Sequence, residues 1–102
     1  MNRHISPTTM VNDVVTQEKL AKYFDVTGRA LKKAKPAHGR EKDAHEVLDM
    51  ARRYYSDAEH FASKGDLVLA FAALNYAHGW LDAGARLGIL DVGHDSVLFT
   101  VD

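Results

Sequence analysis

Six histidines, fourteen carboxylates and four tyrosines carry most of the reactive side-chain chemistry of this 102-residue chain, and it has no cysteine. Thiol nucleophiles, disulfide frameworks and thiolate zinc sites are therefore excluded. Any chemistry must come from polar side chains brought together at helical spacing. Arg53 and His60 stand seven apart, which places both on one face of a helix. There an imidazole would act as general base and a guanidinium would stabilise phosphate charge. The competing reading is a solvated face on which Asp49 and Asp57 each lie four residues from Arg53 and pair with it.

Imidazole and carboxylate also recur four apart at His45 and Asp49 and again at His78 and Asp82, a combination that suits zinc or manganese. Two ligands do not make a site, and four would require a helix register that the sequence does not fix. The expectation is therefore no metal and no cofactor, with His45 solvated and His78 hydrogen-bonded on a packed face. The residues carried forward as binding candidates are Arg53, Tyr54, His60, His78 and Asp82, with no catalytic assignment. The spacing of Arg53 and His60 resembles that of the helical HEPN domains. The alternative function it implies is a degenerate nucleotide- or RNA-linked accessory domain.

Three helices must position these residues. The first opens at Thr16, suited to the N-cap, with Val15 and Leu20 placed as a hydrophobic staple. It continues through Phe24 and Leu31, and Lys32, Lys33 and Lys35 lie near its negative dipole end before Pro36 stops it. After the Pro36 to Gly39 turn, apolar positions from Ala44 to Ala62 keep helical spacing until Lys64-Gly65. Gly65 can end that helix in the left-handed conformation and Asp66 can cap the next, so the two form an antiparallel hairpin.

The third helix, from Leu67 to Leu87, is apolar almost all the way round and is read as the buried centre. Gly79 and Gly84 within it cost about 1 kcal/mol each relative to Ala, which points to close approach of another backbone. Gly88 reads as its C-cap. Core membership is assigned to Tyr55, Phe61, Phe71, Leu74, Ala77, Trp80 and Gly84, and Trp80→Ala is expected to cost about 3–5 kcal/mol. The fold class is all-α, an antiparallel three-helix bundle over residues 16–90. Residues 1–15 form a loosely held arm and 91–102 an extended C-terminal arm, because Val97 to Val101 is β-branched and apolar.

The run Tyr54-Tyr55-Ser56-Asp57-Ala58 is followed by Phe61, Lys64-Gly65-Asp66, Ala70 and Ala73-Leu74. Then come Tyr76-Ala77-His78-Gly79-Trp80-Leu81-Asp82-Ala83-Gly84 and Leu87-Gly88. Together these residues resemble the archaeal family known as domain of unknown function 357, over roughly residues 16–90. The resemblance implies a small helical bundle of spectrin-like or albumin-binding-domain-like architecture and brings no catalytic residues. Some relatives appear beside a nucleotidyltransferase-like domain, which implies at most an accessory role.

Composition narrows the class further. Apolar residues are 46% and charged residues 26%, the balance of an ordinary globular domain. The net charge of −1 gives no global reason to expect nucleic acid or membrane as partner. The N-terminus lacks the apolar region of a secretory signal and no apolar run approaches a membrane span, so the expected location is the cytoplasm. Charge is divided between the halves: residues 1–53 hold 11 basic and 7 acidic side chains, whereas 54–102 hold 2 and 7. The basic cluster Arg29, Lys32, Lys33, Lys35, Arg40 and Lys42 lacks interleaved aromatics for base stacking and reads as a solvated turn complementing the acidic half. The functional expectation is a non-enzymatic helical interaction or scaffold module. Its partner is another protein or a second copy in a two-fold dimer, because three helices cannot hide all the apolar surface present.

Overall fold

The computed structural model describes residues 12–100 of the chain. The expected N-terminal arm lies largely outside the described residues. The architecture is all-α: helix α1 spans Gln17–Lys33, α2 Glu41–Ser63 and α3 Leu67–Arg86. α2 and α3 form the tight antiparallel hairpin, and α1 packs chiefly on α3. Each boundary has a local cause. The Thr16 hydroxyl accepts from the Lys19 amide at 3.0 Å, and Val15 packs with the cluster containing Leu20. At the hairpin Gly65 takes φ +79°, a conformation a Cβ disfavours, and the Asp66 carboxylate accepts from the Leu69 amide at 3.0 Å.

Small residues dominate the seam between the helices. Ala30, Ala44, Ala51, Ala58, Ala70 and Ala77 have no exposed surface at all. Such side chains let backbones approach closely but bring little volume, so larger groups fill the two ends. At one end Leu20 and Leu74 are joined by half-buried Tyr55, Phe61 and Phe71. Tyr23 meets Phe71 edge-on at 4.8 Å, and Phe24 meets Tyr55 edge-on at 5.6 Å. At the other end Val47, Leu48 and Leu81 pack with Ile89, Leu90, Val92, Leu98 and Phe99 from the C-terminal segment.

That segment is not the extended arm expected from its β-branched residues. Leu90–Asp91 (β2) pairs antiparallel with Lys35–Pro36 (β1), a two-residue ladder tying the tail to the α1–α2 turn. Beyond it the chain turns repeatedly. The Asp95 carboxylate accepts from the Val97 and Leu98 amides, each at 3.0 Å, and the Phe99 amide donates to the Asp95 carbonyl at 3.1 Å. Local capping by Asp95 thus outweighs the strand preference of Val97. Leu98 and Phe99 turn inward while Val97 is 85% exposed. The tail covers its own bundle, so it gives no reason for pairing between chains.

Two further expectations about α3 are corrected. Trp80 is half-buried, flanking the inward stripe instead of lying in it, so its truncation should cost nearer 1–2 kcal/mol than the value expected for a core residue. The helix is also not buried all round, since Val68, Leu69 and Tyr76 are exposed. The two glycines part company as well. A Cβ on Gly84 would stand 2.8 Å from Leu90 and 3.0 Å from Val47, so this glycine accommodates side chains from the tail and from α2, not a backbone. A Cβ on Gly79 would meet nothing within 4 Å.

Denaturant unfolding should separate these positions. Gly84→Ala overpacks and should lose about 1–3 kcal/mol, whereas Gly79→Ala, measured on dilute protein, should be neutral or gain up to about 1 kcal/mol from helix propensity. Equal losses at both positions would contradict this packing.

Candidate functional site

The polar candidates on α2 and α3 have different fates. Arg53 is exposed and its guanidinium pairs with Asp49 at 3.0 Å, the i, i+4 contact of a solvated helix face. His60 is exposed one turn from the end of α2, its ring lying edge-on to Phe61 at 5.8 Å. His45 is exposed, and no group of three or more histidines and carboxylates that could hold a metal ion occurs among the described residues.

His78 and Asp82 do act together, on the chain's own tail. His78 bridges α1 and the C-terminal turn: Nε2 lies 2.7 Å from the Leu98 carbonyl and Nδ1 lies 3.0 Å from the Thr27 hydroxyl. Because a carbonyl only accepts, Nε2 carries the proton, and in the neutral ring Nδ1 accepts from Thr27. Thr27 is the buried polar residue among the described residues, 1% exposed, and this bond satisfies it. One turn on, the Asp82 carboxylate accepts from the Thr100 amide at 2.8 Å and from its hydroxyl at 3.1 Å. From α1, Lys33 reaches Asp95 at 3.1 Å, joining the basic and acidic halves of the chain. These groups form a clamp on the tail. The sequence placed His78 on a packed face but offered no sign of Thr27 and Leu98 as its partners, or of the Asp82–Thr100 and Lys33–Asp95 contacts, because these join residues 18 or more positions apart.

Asp95 gives the clamp a pH dependence. The Leu98 amide, then the Lys33 ammonium, hold its carboxyl below the usual aspartate value, outweighing the opposing effect of burial, and the Val97 amide adds to them. A carboxyl depressed in the folded state stabilises it above the ordinary value of 3.8, and that contribution is lost as pH falls through the lower folded value. On the other side of α1, burial raises the Tyr55 hydroxyl, helped by the Glu59 and Asp25 carboxylates. That hydroxyl donates to the Phe24 carbonyl at 3.4 Å and crosses α1 at Gly28, where a Cβ would lie 2.9 Å from it.

With His78 and Asp82 turned to the tail, an apolar surface lies open on the outer side of α3. Ala72, Tyr76, Gly79 and Ala83 follow one another at steps of four, three and four and so share a face. The depression along it, about 540 Å³, is lined by Asn75, Tyr76, Gly79, Trp80 and Ala83. Tyr54 joins the rim, its ring stacked on Tyr76 at 4.8 Å. The adjacent tyrosines therefore divide their work, Tyr55 toward α1 and Tyr54 toward this face. Arg86 is the one charged residue among the exposed positions of α3. The apolarity of α3 on nearly every side is thus divided between a buried face and this open one.

Two measurements check the clamp. His78→Ala removes two part-buried hydrogen bonds and should lower stability by about 2–3 kcal/mol, with amide exchange rising first at residues 95–100. In the native chain the same amides should lose protection on acidification below about pH 4, and Asp95→Asn should abolish that acid step. An acid step that persists in Asp95→Asn would assign it to another group.

No helix among the described residues is long and apolar enough to cross a membrane. No curated protein and no solved structure matches the chain. The family model described as protein of unknown function, DUF357, matches residues 22–90, which takes in most of α1, all of α2 and α3 and the start of the tail; the chain belongs to that family.

Proposed function

We propose that this chain is a non-catalytic interaction module that docks a helical partner on the outer face of α3. The observation that carries the reading is the near absence of charge from the exposed positions of a 20-residue helix, where an ordinary solvated face would be polar. The other polar candidates support it by their engagements: Arg53 pairs with Asp49, and His78 and Asp82 hold the tail. A stripe of small residues flanked by Tyr76 and Trp80 suits another helix, since small residues allow close approach and aromatic rims supply anchoring area. Tyr76 is held by its stack on Tyr54, so little conformational freedom is lost on contact.

In dilute solution the folded chain should bind a fluorescent apolar-surface dye. Tyr76→Glu should remove most of that signal while leaving helicity unchanged and lowering the unfolding midpoint by only a few degrees, since Tyr76 is 62% exposed and loses chiefly its stack on Tyr54. A native chain that binds no dye would count against the reading. So would a rise of several degrees in melting temperature with a nucleotide, RNA or a divalent metal, since a ligand of the native state stabilises it by mass action.

A further inference from the structure

Gly79 has no packing role among the described residues. It lies in the interior of α3, where glycine is unfavourable, with no neighbour that a Cβ would touch and with a helical backbone that any residue adopts. Gly84, five residues on, is explained by Leu90 and Val47; Gly79 meets no such neighbour among the described residues. Its neighbours on the outer face are arranged symmetrically about the middle of the helix. Small residues Ala72 and Ala83 lie to either side, and exposed Val68 and Leu87 lie at the two ends.

Resting on the reading of this face as a helix-docking surface, we infer that its occupant is α3 of a second copy of this chain, crossing antiparallel about a two-fold axis level with Ala77 and His78. In that register Tyr76 of each copy lies over Gly79 of the other. Ala72 faces Ala83, and Val68 faces Leu87. The large side chain on the face meets the one position without a side chain, which is the self-complementarity an isologous contact requires. The absence of a Cβ at Gly79 makes room for the Tyr76 ring, and stacking on Tyr54 pre-positions it.

Charge does not oppose the pairing, because the face carries Arg86 alone, near one end, and the two-fold axis sets the two copies of it far apart. The area is sufficient for a modest dimer. A 20-residue helix is about 30 Å long, and contact along that length buries on the order of 1,000 Å² in total, at the lower edge of specific interfaces. The expected dissociation constant is therefore micromolar, on the order of 1–100 μM.

Sedimentation of the full chain over a concentration series tests the inference. The native protein should pass from monomer to dimer across that range, and dye binding should fall in step as the face is covered. Gly79→Leu and Ala83→Arg, both at open positions, should keep native helicity while weakening the dimer tenfold or more. The register has its own readout, because the chain has no native cysteine. The double variant Ala72→Cys/Ala83→Cys should oxidise to a covalent dimer, since each cysteine faces the other's counterpart and the two are too far apart to join within one helix. Neither single variant should cross-link. Cross-linking by the single variants would overturn the antiparallel register. A native chain that stays monomeric up to about 0.5 mM, well above that range, would overturn the second copy as occupant. If such a monomer still bound dye in a Tyr76-dependent way, the docking face itself would stand; if it bound none, both would fall.

Discussion

The close approach of α2 and α3 along a seam of alanines is the constraint from which the rest of the structure follows. Five alanines with no exposed surface, Ala44, Ala51 and Ala58 on α2 and Ala70 and Ala77 on α3, let these helices pack closely, and the short turn at Gly65 holds them in that relation. A seam of this kind is strongly directional, since a longer side chain at any of these positions would push the helices apart. It is also poor in volume. Burial stabilises in proportion to the apolar area removed from water, and alanine contributes little of it, so three helices packed in this way do not complete a core by themselves.

The C-terminal segment supplies what the seam lacks. Ile89, Leu90, Val92, Leu98 and Phe99 fill one end of the bundle, and Gly84 is the recess that lets Leu90 sit against α3 and Val47. The segment is too short to hold itself by regular structure, so its backbone groups are taken up one at a time: a two-residue ladder with Lys35–Pro36, an Asp95 cap, the His78 contact with Leu98 and the Asp82 contact with Thr100. The residues with the most chemical versatility on α3 are thereby committed to folding. A histidine and a carboxylate four apart on a helix are a metal-like pair in sequence and a tail clamp in structure.

α3 is consequently asked to be apolar on more than one side. Its inner face is small and meets α2, its flank carries His78 and Asp82 toward the tail, and its outer face keeps Tyr76, Gly79 and Ala83 in the open. On an ordinary solvated helix that last side would be polar. The match to the DUF357 family takes in most of α1 and all of α2 and α3, so the helical bundle is what the chain shares with that family.

What the sequence by itself determined is local. Thr16 and Asp66 as caps, Gly65 as the reversal, Pro36 as the stop, three helices and an antiparallel hairpin were all legible, because capping geometry, left-handed backbone and helical periodicity act over a few residues. Leu74, Ala77 and Gly84 were legible as core for the same reason. What only the tertiary structure decided is direction and partnership. Periodicity showed that α3 was apolar nearly all round but not which side met a neighbour, so Trp80 was placed in the core when it borders an open face. Residue type showed that Val97 to Val101 favours a strand, but through Thr100 the chain instead turns on the local bonds that Asp95 offers. Gly79 and Gly84 are the same residue in the same helix and are indistinguishable in sequence; only the positions of Leu90 and Val47, set by contacts that cross the chain, separate the one that is packed from the one that is open.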